Sequence, residues 1–546
     1  MSLSIAAGFV AVALETVVRA TRSLPFWDQW EVLTTSQALA SPFAQHNEHR
    51  IAVSRLVFAM DTAFFHGTSH TTVAVTFVLA MLLALAIGRV AVPAREDRAG
   101  RALATSFALC TITSLRAWEN FTWSFEVPFL SVYVAAVIAF VAIADPRARR
   151  RTLLLALAAT GVASYSIANG IFVGPLVVVL ALLARRPRSH VAFAGVAVAA
   201  LIAGYMHGYV STHGHTDPVE SITERPLRVV RYLCVYLGSP INRHASVATV
   251  IGAFGIIATT WLGGSIVLRR ERRASIGYVL PALVALTFGT GFITALGRSD
   301  FGLAQAGSSR YATTALLFWT TLILDRITMT YARRPRAFRS WVAIACAVVV
   351  VLAVVTPRAR SRAFRRSFRI LLAESSILAN ANDFEALHGV YESPDVLIPR
   401  IGVLRAERLS IFHAPWSTWR GTPLDRHVAR RNDDCVGALD RFTERLAVGG
   451  RSILIEGRVR YDEWFVRERR VVFIDERGTV VGYGSSGYGP ADGRHPSRGE
   501  SRILGFLDPN ADADAVRAIV LQDDDASGCA LGGSLVVRRD AASRSD

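Results

Sequence analysis

Residues Val127–Ala144 read VPFLSVYVAAVIAFVAIA, and Asp145–Arg151, directly after them, read DPRARRR. The first stretch is apolar for about the thickness of a bilayer's hydrocarbon core, and the second is a short cationic loop of the kind retained in the cytoplasm. Further apolar runs follow the same reading at Leu3–Val18, Thr71–Ile87, Ala102–Leu115, Thr152–Ile167 and Ile171–Ala184. Others lie at Val191–Tyr205, Val247–Leu268, Ile276–Leu296, Ala312–Leu324 and Trp341–Val355. About eleven transmembrane helices are therefore expected. The connections Arg95–Arg101, Arg147–Arg151, Arg185–Arg188, Arg269–Arg273 and Arg333–Arg339 are separated by even numbers of spans. The positive-inside rule places all five in the cytoplasm, with the N-terminus inside and everything after Val355 outside. The basic stretch Arg358–Arg369 runs against that assignment.

Composition agrees with a polytopic membrane protein: 52% of residues are hydrophobic and 19% charged. The net charge of +17 comes from arginine without any lysine and is spread over many loops, which points away from nucleic acid as a partner. Leu3–Val18 has no basic leader and no A-x-A site, so it reads as a spanning helix rather than a cleaved signal.

Beyond residue 356 the pattern changes. Residues 357–433 read as a helical linker. Residues 434–538 read as a β-rich, sandwich-like periplasmic domain, with short strands at Ser452–Arg458, Val471–Asp475, Val480–Tyr483, Ile503–Phe506, Val516–Gln522 and Ser534–Val537. Residues 539–546 read as a disordered tail. Cys435 and Cys529 bracket this domain and would form one disulfide in an extracytoplasmic setting.

The expected outer loops hold most of the chain's chemistry. In the first, Trp27-Asp28-Gln29-Trp30-Glu31 sets two acids three residues apart between indoles, where desolvation would raise a carboxylate's basicity. The plainer reading makes Trp27 and Trp30 an interfacial belt. Further on, His46, Glu48 and His49 precede Arg50 and Arg55, whose guanidinium groups could grip a lipid-linked phosphate or simply reach lipid headgroups. A later loop carries Trp118, Glu119, Asn120 and Trp123, and another carries Arg298, Gln305, Arg310 and Tyr311. Indoles and phenols stack on sugar rings, acids and amides bind hydroxyls, and arginine binds phosphate; together they describe a lipid-linked glycoside.

In this arrangement the chain resembles the GT-C superfamily of polytopic glycosyltransferases. The resemblance covers Leu3 to Val355 and rests on topology and on Phe26-Trp27-Asp28-Gln29-Trp30-Glu31. It is more specifically similar to bacterial membrane proteins with an Asn-Phe-x-Trp loop, here Asn120-Phe121-Thr122-Trp123, and a late Gly297-Arg298…Ser308-Ser309-Arg310-Tyr311 loop. The resemblance implies a polyprenyl-phosphate sugar donor and a cell-envelope glycan or lipid-linked acceptor. Asp28 would be the general base of an inverting displacement, with Arg298 or Arg310 holding the phosphate and Arg50 and Arg55 as alternates. Many members carry two adjacent acids, whereas Gln29 follows Asp28 here. Glu31 would then be the second acid, and dependence on a divalent cation, Mg or Mn, stays open. A glycan acyltransferase or polymerase, or a flippase of lipid-linked glycan, remains the alternative; the last would need polar residues deep in the spans.

Overall fold

The structure, a computed structural model, describes residues 3–34, 41–92, 97–210, 218–268, 273–331, 334–460, 468–488, 500–522 and 525–537. The expected tail at 539–546 lies outside the described residues, as do Arg95, residues 269–272 and Arg333 of the cationic connections. The chain divides into two compact units. One holds Met1–Thr21, Gln37–Met60 and His70–Ala363; the other holds Arg22–Ser36, Asp61–Ser69 and Phe364–Asp546.

The first unit is a helical bundle, and each of the eleven apolar runs falls on one of its helices. Among the described residues seven helices are long and apolar enough to cross a membrane: Leu3–Ala20, His70–Ala91, Ser124–Ile143, Arg188–Met206, Ala245–Val267, Ser275–Phe301 and Pro335–Leu378. Ala168–Leu183 is a shorter apolar helix. One amphipathic helix, Pro226–Gly238, was not among the expected runs. It packs against Ala245–Val267 so tightly that a Cβ on Gly252 would meet the Cys234 carbonyl oxygen at 1.9 Å, so glycine is required there for the backbones to approach.

Described residues of the cationic connections tie helix ends together. Arg186 caps the Val127–Ile143 helix by donating to the carbonyls of Ala142 (2.7 Å) and Ile143 (2.8 Å), which satisfies acceptors that a helix end leaves open. Thr328 donates to the Ala91 carbonyl at 3.1 Å, and Arg273 pairs with buried Asp325. Asp325 also pairs with Arg326, whose guanidinium lies 4.8 Å from the Trp261 ring centroid. A buried carboxylate is tolerable there because two cations share it.

The second unit combines short helices with a β-barrel. Its strands are β3 (Arg430–Ala447), β4 (Gly450–Arg460), β5 (Arg470–Ile474), β6 (Val480–Tyr488), β7 (Glu500–Leu507), β8 (Ala515–Leu521), β9 (Ser527–Leu531) and β10 (Leu535–Val536); β1 (Gln45–His46) and β2 (His49–Arg50) form a separate hairpin in the helical unit. The order β10-β8-β5-β6-β7-β4-β3-β9, with β8 also paired to β9, closes the sheet on itself. A closed barrel therefore replaces the expected sandwich. The reason is legible in Val471-Val472-Phe473-Ile474. Val471 and Phe473 join one apolar core with Val516, Ala518 and Val520, while Val472 and Ile474 join a second with Ile519 and Leu521. Both faces of these strands are buried, one inside the barrel and one under helices, so the apolar run is continuous rather than alternating. Closure requires glycine where strands curl over Phe473: a Cβ on Gly505 would lie 2.6 Å from that ring.

That second core contains Ile370, Leu378, Leu397, Ile411, Phe412 and Trp416 together with Leu24 and Trp30. Residues 364–428 are thus packed structure rather than a linker, and helix Pro335–Leu378 runs through the expected boundary at 356 without a break. The expected disulfide is present: Cys435 and Cys529 are bonded, with Cα atoms 5.5 Å apart, and tie β3 to β9 where these two pair in parallel. Neither β3 nor β9 was among the expected strands.

Candidate functional site

Glu48 occupies the turn of the β1–β2 hairpin, whose shape depends on Asn47 in the left-handed region (φ 48°). Two arginines lock this hairpin. Arg50 donates from Nε to the Tyr205 carbonyl (2.8 Å), from Nη1 to that of Phe43 (2.7 Å) and from Nη2 to that of His207 (2.6 Å). Arg55 Nη1 lies 2.6 Å from the Ala44 carbonyl oxygen and 3.0 Å from those of Ser41 and Pro42. Both expected phosphate contacts therefore serve as straps, with their donors on backbone carbonyls that need them. Gln45 adds a clasp through Val210, accepting from its N–H at 3.0 Å and donating to its carbonyl at 2.6 Å.

So held, Glu48 pairs with Arg298, and the same guanidinium donates to the Tyr311 hydroxyl at 3.1 Å. His49 Nε2 is 3.6 Å from the Glu48 carboxylate. Burial works against ionisation of Glu48, yet the His49 and Arg298 charges outweigh it and hold the pKa at about 2. Burial pulls His49 down to about 4, against the attraction of Glu48. At neutral pH the imidazole is uncharged, and Arg298 is the counter-ion of the carboxylate. Neither group is a strong base under those conditions.

Beside this pair, the Trp118–Thr122 helix braces the start of the Ser309–Thr330 helix. The Glu119 carboxylate accepts from Ser309 Oγ, from Ser308 Oγ at 3.3 Å and from the Arg310 N–H at 3.0 Å, which places a negative charge where the helix dipole is positive. Asn120 Nδ2 donates to the Arg310 carbonyl (3.1 Å) and to Thr313 Oγ1 (2.9 Å). Glu119 and Asn120, expected to touch substrate, are instead the frame that aims Arg310. That guanidinium lies 5.3 Å from the Tyr311 ring centroid and makes no side-chain hydrogen bond among the described residues. Trp118 and Trp123 are buried at 9% and 6% exposure, so they pack the frame rather than offer an open stacking face. His46 packs against Phe125 with ring centroids 5.2 Å apart. Gln305 accepts from the Tyr232 hydroxyl at 3.3 Å, and Tyr236 packs on Tyr311 at 5.2 Å.

Deeper in the bundle are polar groups that the apolar reading of the spans passed over. Tyr133 shares a hydrogen bond with Thr314 (2.7 Å), and the Thr320 and Thr111 hydroxyls lie 2.7 Å apart. Threonine hides in hydropathy because its hydroxyl also bonds its own helix, as Thr320 does to the Leu316 carbonyl at 2.6 Å. The threonines at 313, 314, 320 and 321 were the available signal.

The Trp-Asp segment belongs to the barrel unit. Trp30 is fully buried in its core, which overturns the interfacial-belt reading for that residue; Trp27 is 39% exposed. Asp28 is half-buried and directly precedes the Gln29–Thr34 helix, its carbonyl accepting from the Val32 N–H at 3.4 Å. Glu31 accepts from the Tyr391 hydroxyl at 3.1 Å and lies 3.6 Å from Arg400. Among the described residues no three His, Cys, Asp or Glu side chains gather to hold one ion.

Comparison of the chain with protein-family models, with curated proteins and with solved structures finds no match.

Proposed function

We propose that the chain is a membrane glycosyltransferase that moves a sugar from a polyprenyl-phosphate donor to a cell-envelope glycan or a lipid-linked acceptor. The observation that carries this reading is the pair Arg298 and Arg310, one oriented by Glu48 and Tyr311, the other aimed by Glu119 and free of side-chain hydrogen bonds. Such a pair suits a phosphate whose charge grows as the glycosidic bond breaks. The reaction would be an inverting displacement: the acceptor hydroxyl loses its proton, its oxygen bonds the anomeric carbon, and polyprenyl phosphate leaves with the bonding electrons. Phosphate is a good leaving group, so charge neutralisation matters more than protonating it. Glu48 is too weak a base to take the acceptor proton, and that role stays with Asp28 on the sequence resemblance. The reading includes eleven crossings of a bacterial inner membrane, a cytoplasmic N-terminus and an extracytoplasmic barrel unit that could hold acceptor glycan.

The experiment is transfer from radiolabelled polyprenyl-phosphate sugars into envelope glycan by purified protein, wild type beside Asp28→Asn. Transfer that depends on Asp28 supports the reading, whereas transfer undiminished in a folded Asp28→Asn protein removes Asp28 from it. One observation favours a second reading, a flippase of lipid-linked glycan: the buried hydroxyl pair of Tyr133 and Thr314 on two apolar helices. Movement of lipid-linked glycan across vesicles without sugar transfer would select it.

A further inference from the structure

A separate cationic site lies within the barrel unit, in the turns between the Pro394–Ala406 helix and β3. A cavity of about 330 Å³ is lined by Arg405, Arg408 and Arg420, by Ser417 and Thr418, and by the ring of Phe412. Its volume is at the lower end of the roughly 300–1,000 Å³ typical of small-molecule sites. None of these residues belongs to the cluster around Arg298.

The charges lining it are unbalanced. Arg420 donates to Asp508 at 2.7 Å. Arg405 lies 5.0 Å from the Phe412 ring centroid, and neither it nor Arg408 has an ion pair or side-chain hydrogen bond among the described residues. Partial desolvation and the nearby charge of Arg420 lower the Arg405 pKa. His413, stacked on His66 at 3.6 Å, is also held below its usual pKa, by desolvation and by the adjacent His66 and Arg408. Two guanidinium groups therefore face the cavity without a counter-ion. A carboxylate would leave one of them uncompensated, and a phosphate dianion matches both.

The hydroxyls narrow the ligand further. Ser417 Oγ donates to the Ala414 carbonyl at 2.6 Å, and Thr418 Oγ1 to the Pro415 carbonyl at 2.9 Å. Each hydroxyl has one proton, so what remains for a ligand is an acceptor lone pair. The site thus presents donors for an anion beside acceptors for hydroxyl groups.

We propose that this cavity binds a phosphorylated polyol, with Arg405 and Arg408 on the phosphate and Ser417 and Thr418 accepting from the polyol hydroxyls. A soluble sugar phosphate, a monoester dianion, meets that chemistry in full, whereas a phosphatidylglycerol headgroup, a diester with a single charge, meets it only in part. The inference does not depend on sugar transfer.

The test is calorimetric titration of the full-length protein in a neutral detergent with glucose 1-phosphate, short-chain phosphatidylglycerol, inorganic phosphate and glucose. Glucose 1-phosphate or phosphatidylglycerol should bind, inorganic phosphate more weakly, and glucose not measurably; whichever of the first two binds more tightly identifies the source. Replacing Arg405 and Arg408 with Gln should weaken binding by about tenfold for each guanidinium removed. Arg408→Gln alone, at an exposed residue without a partner, repeats the reading if the double variant melts early. No binding of either phosphorylated polyol, or equal binding by wild type and Arg408→Gln, overturns the proposal.

Discussion

Two parts of one loop, both rich in aromatic and charged residues, have different fates. Leu24–Thr34 goes to the barrel unit, where Trp30 is buried in an apolar core and Glu31 is tied to Tyr391 and Arg400. Gln45–Arg50 goes to the helical unit, where a hairpin pinned by arginine straps holds Glu48 on Arg298. Composition does not separate these segments. What does is the partner each meets: an indole finds a core, and a carboxylate finds a guanidinium.

The sharpest way to break this contrast is at Asp28, half-buried at the edge of the first segment. Asp28→Asn should lower transfer by about 10²–10⁴, the usual contribution of a general base, with an unchanged melting temperature. Equal transfer would leave that segment a purely structural one. Arg298→Gln should cost about 10²–10³ in kcat/KM, as loss of a charge-stabilising donor does. Glu48→Gln should cost less, because its carboxylate orients the guanidinium; equal costs would put Glu48 in direct contact with the reacting groups.

Stability sharpens the comparison further. Trp30→Ala should cost about 3–5 kcal/mol, as large-to-small changes in a core do, while Trp27→Ala should stay within about 0.5 kcal/mol. Chemical denaturation followed on the barrel unit would read both. Arg55→Gln should loosen residues 41–50, seen as faster amide exchange there, without raising the donor KM more than Arg298→Gln does.

The smallest effect is on pH. His49 binds a proton more weakly when folded (pKa about 4, against an ordinary 6.5), so its contribution to stability weakens as pH falls from 6.5 toward 4. Glu48, at about 2 against an ordinary 4.5, loses its contribution as pH falls from 4.5 toward 2. Melting curves of wild type should therefore decline on acidification across both windows, and Glu48→Gln should flatten the lower one.

Much of the helical unit was legible in the sequence because a bilayer's thickness sets a run length that hydropathy reads directly. The Pro226–Gly238 helix was missed because Arg228 and Arg231, exposed on its polar side, interrupt the apolar run that hydropathy reads. Strand β3 was missed for a related reason: Arg430–Ala447 is rich in charged residues and no side chain from Cys435 to Leu446 is fully buried, so it lacks the apolar alternation that marks a half-buried strand. Arg298 and Arg310 stood out in the sequence from their place at the mouth of a helix. Arg50 and Arg55 look identical in sequence, and only their backbone carbonyl partners reveal them as straps. Residues 364–428 read as a linker because their apolar positions are scattered among short helices, and it takes the outer face of β5 and β8 to make them a core.

The most direct test of the proposed anion site at Arg298 and Arg310 is binding of polyprenyl phosphate, the expected leaving group, to wild-type protein and to the Arg298→Gln, Arg310→Gln double variant in nanodiscs of neutral lipid. The account predicts saturable binding by the wild type and its loss in the variant. Equal binding by both would contradict it.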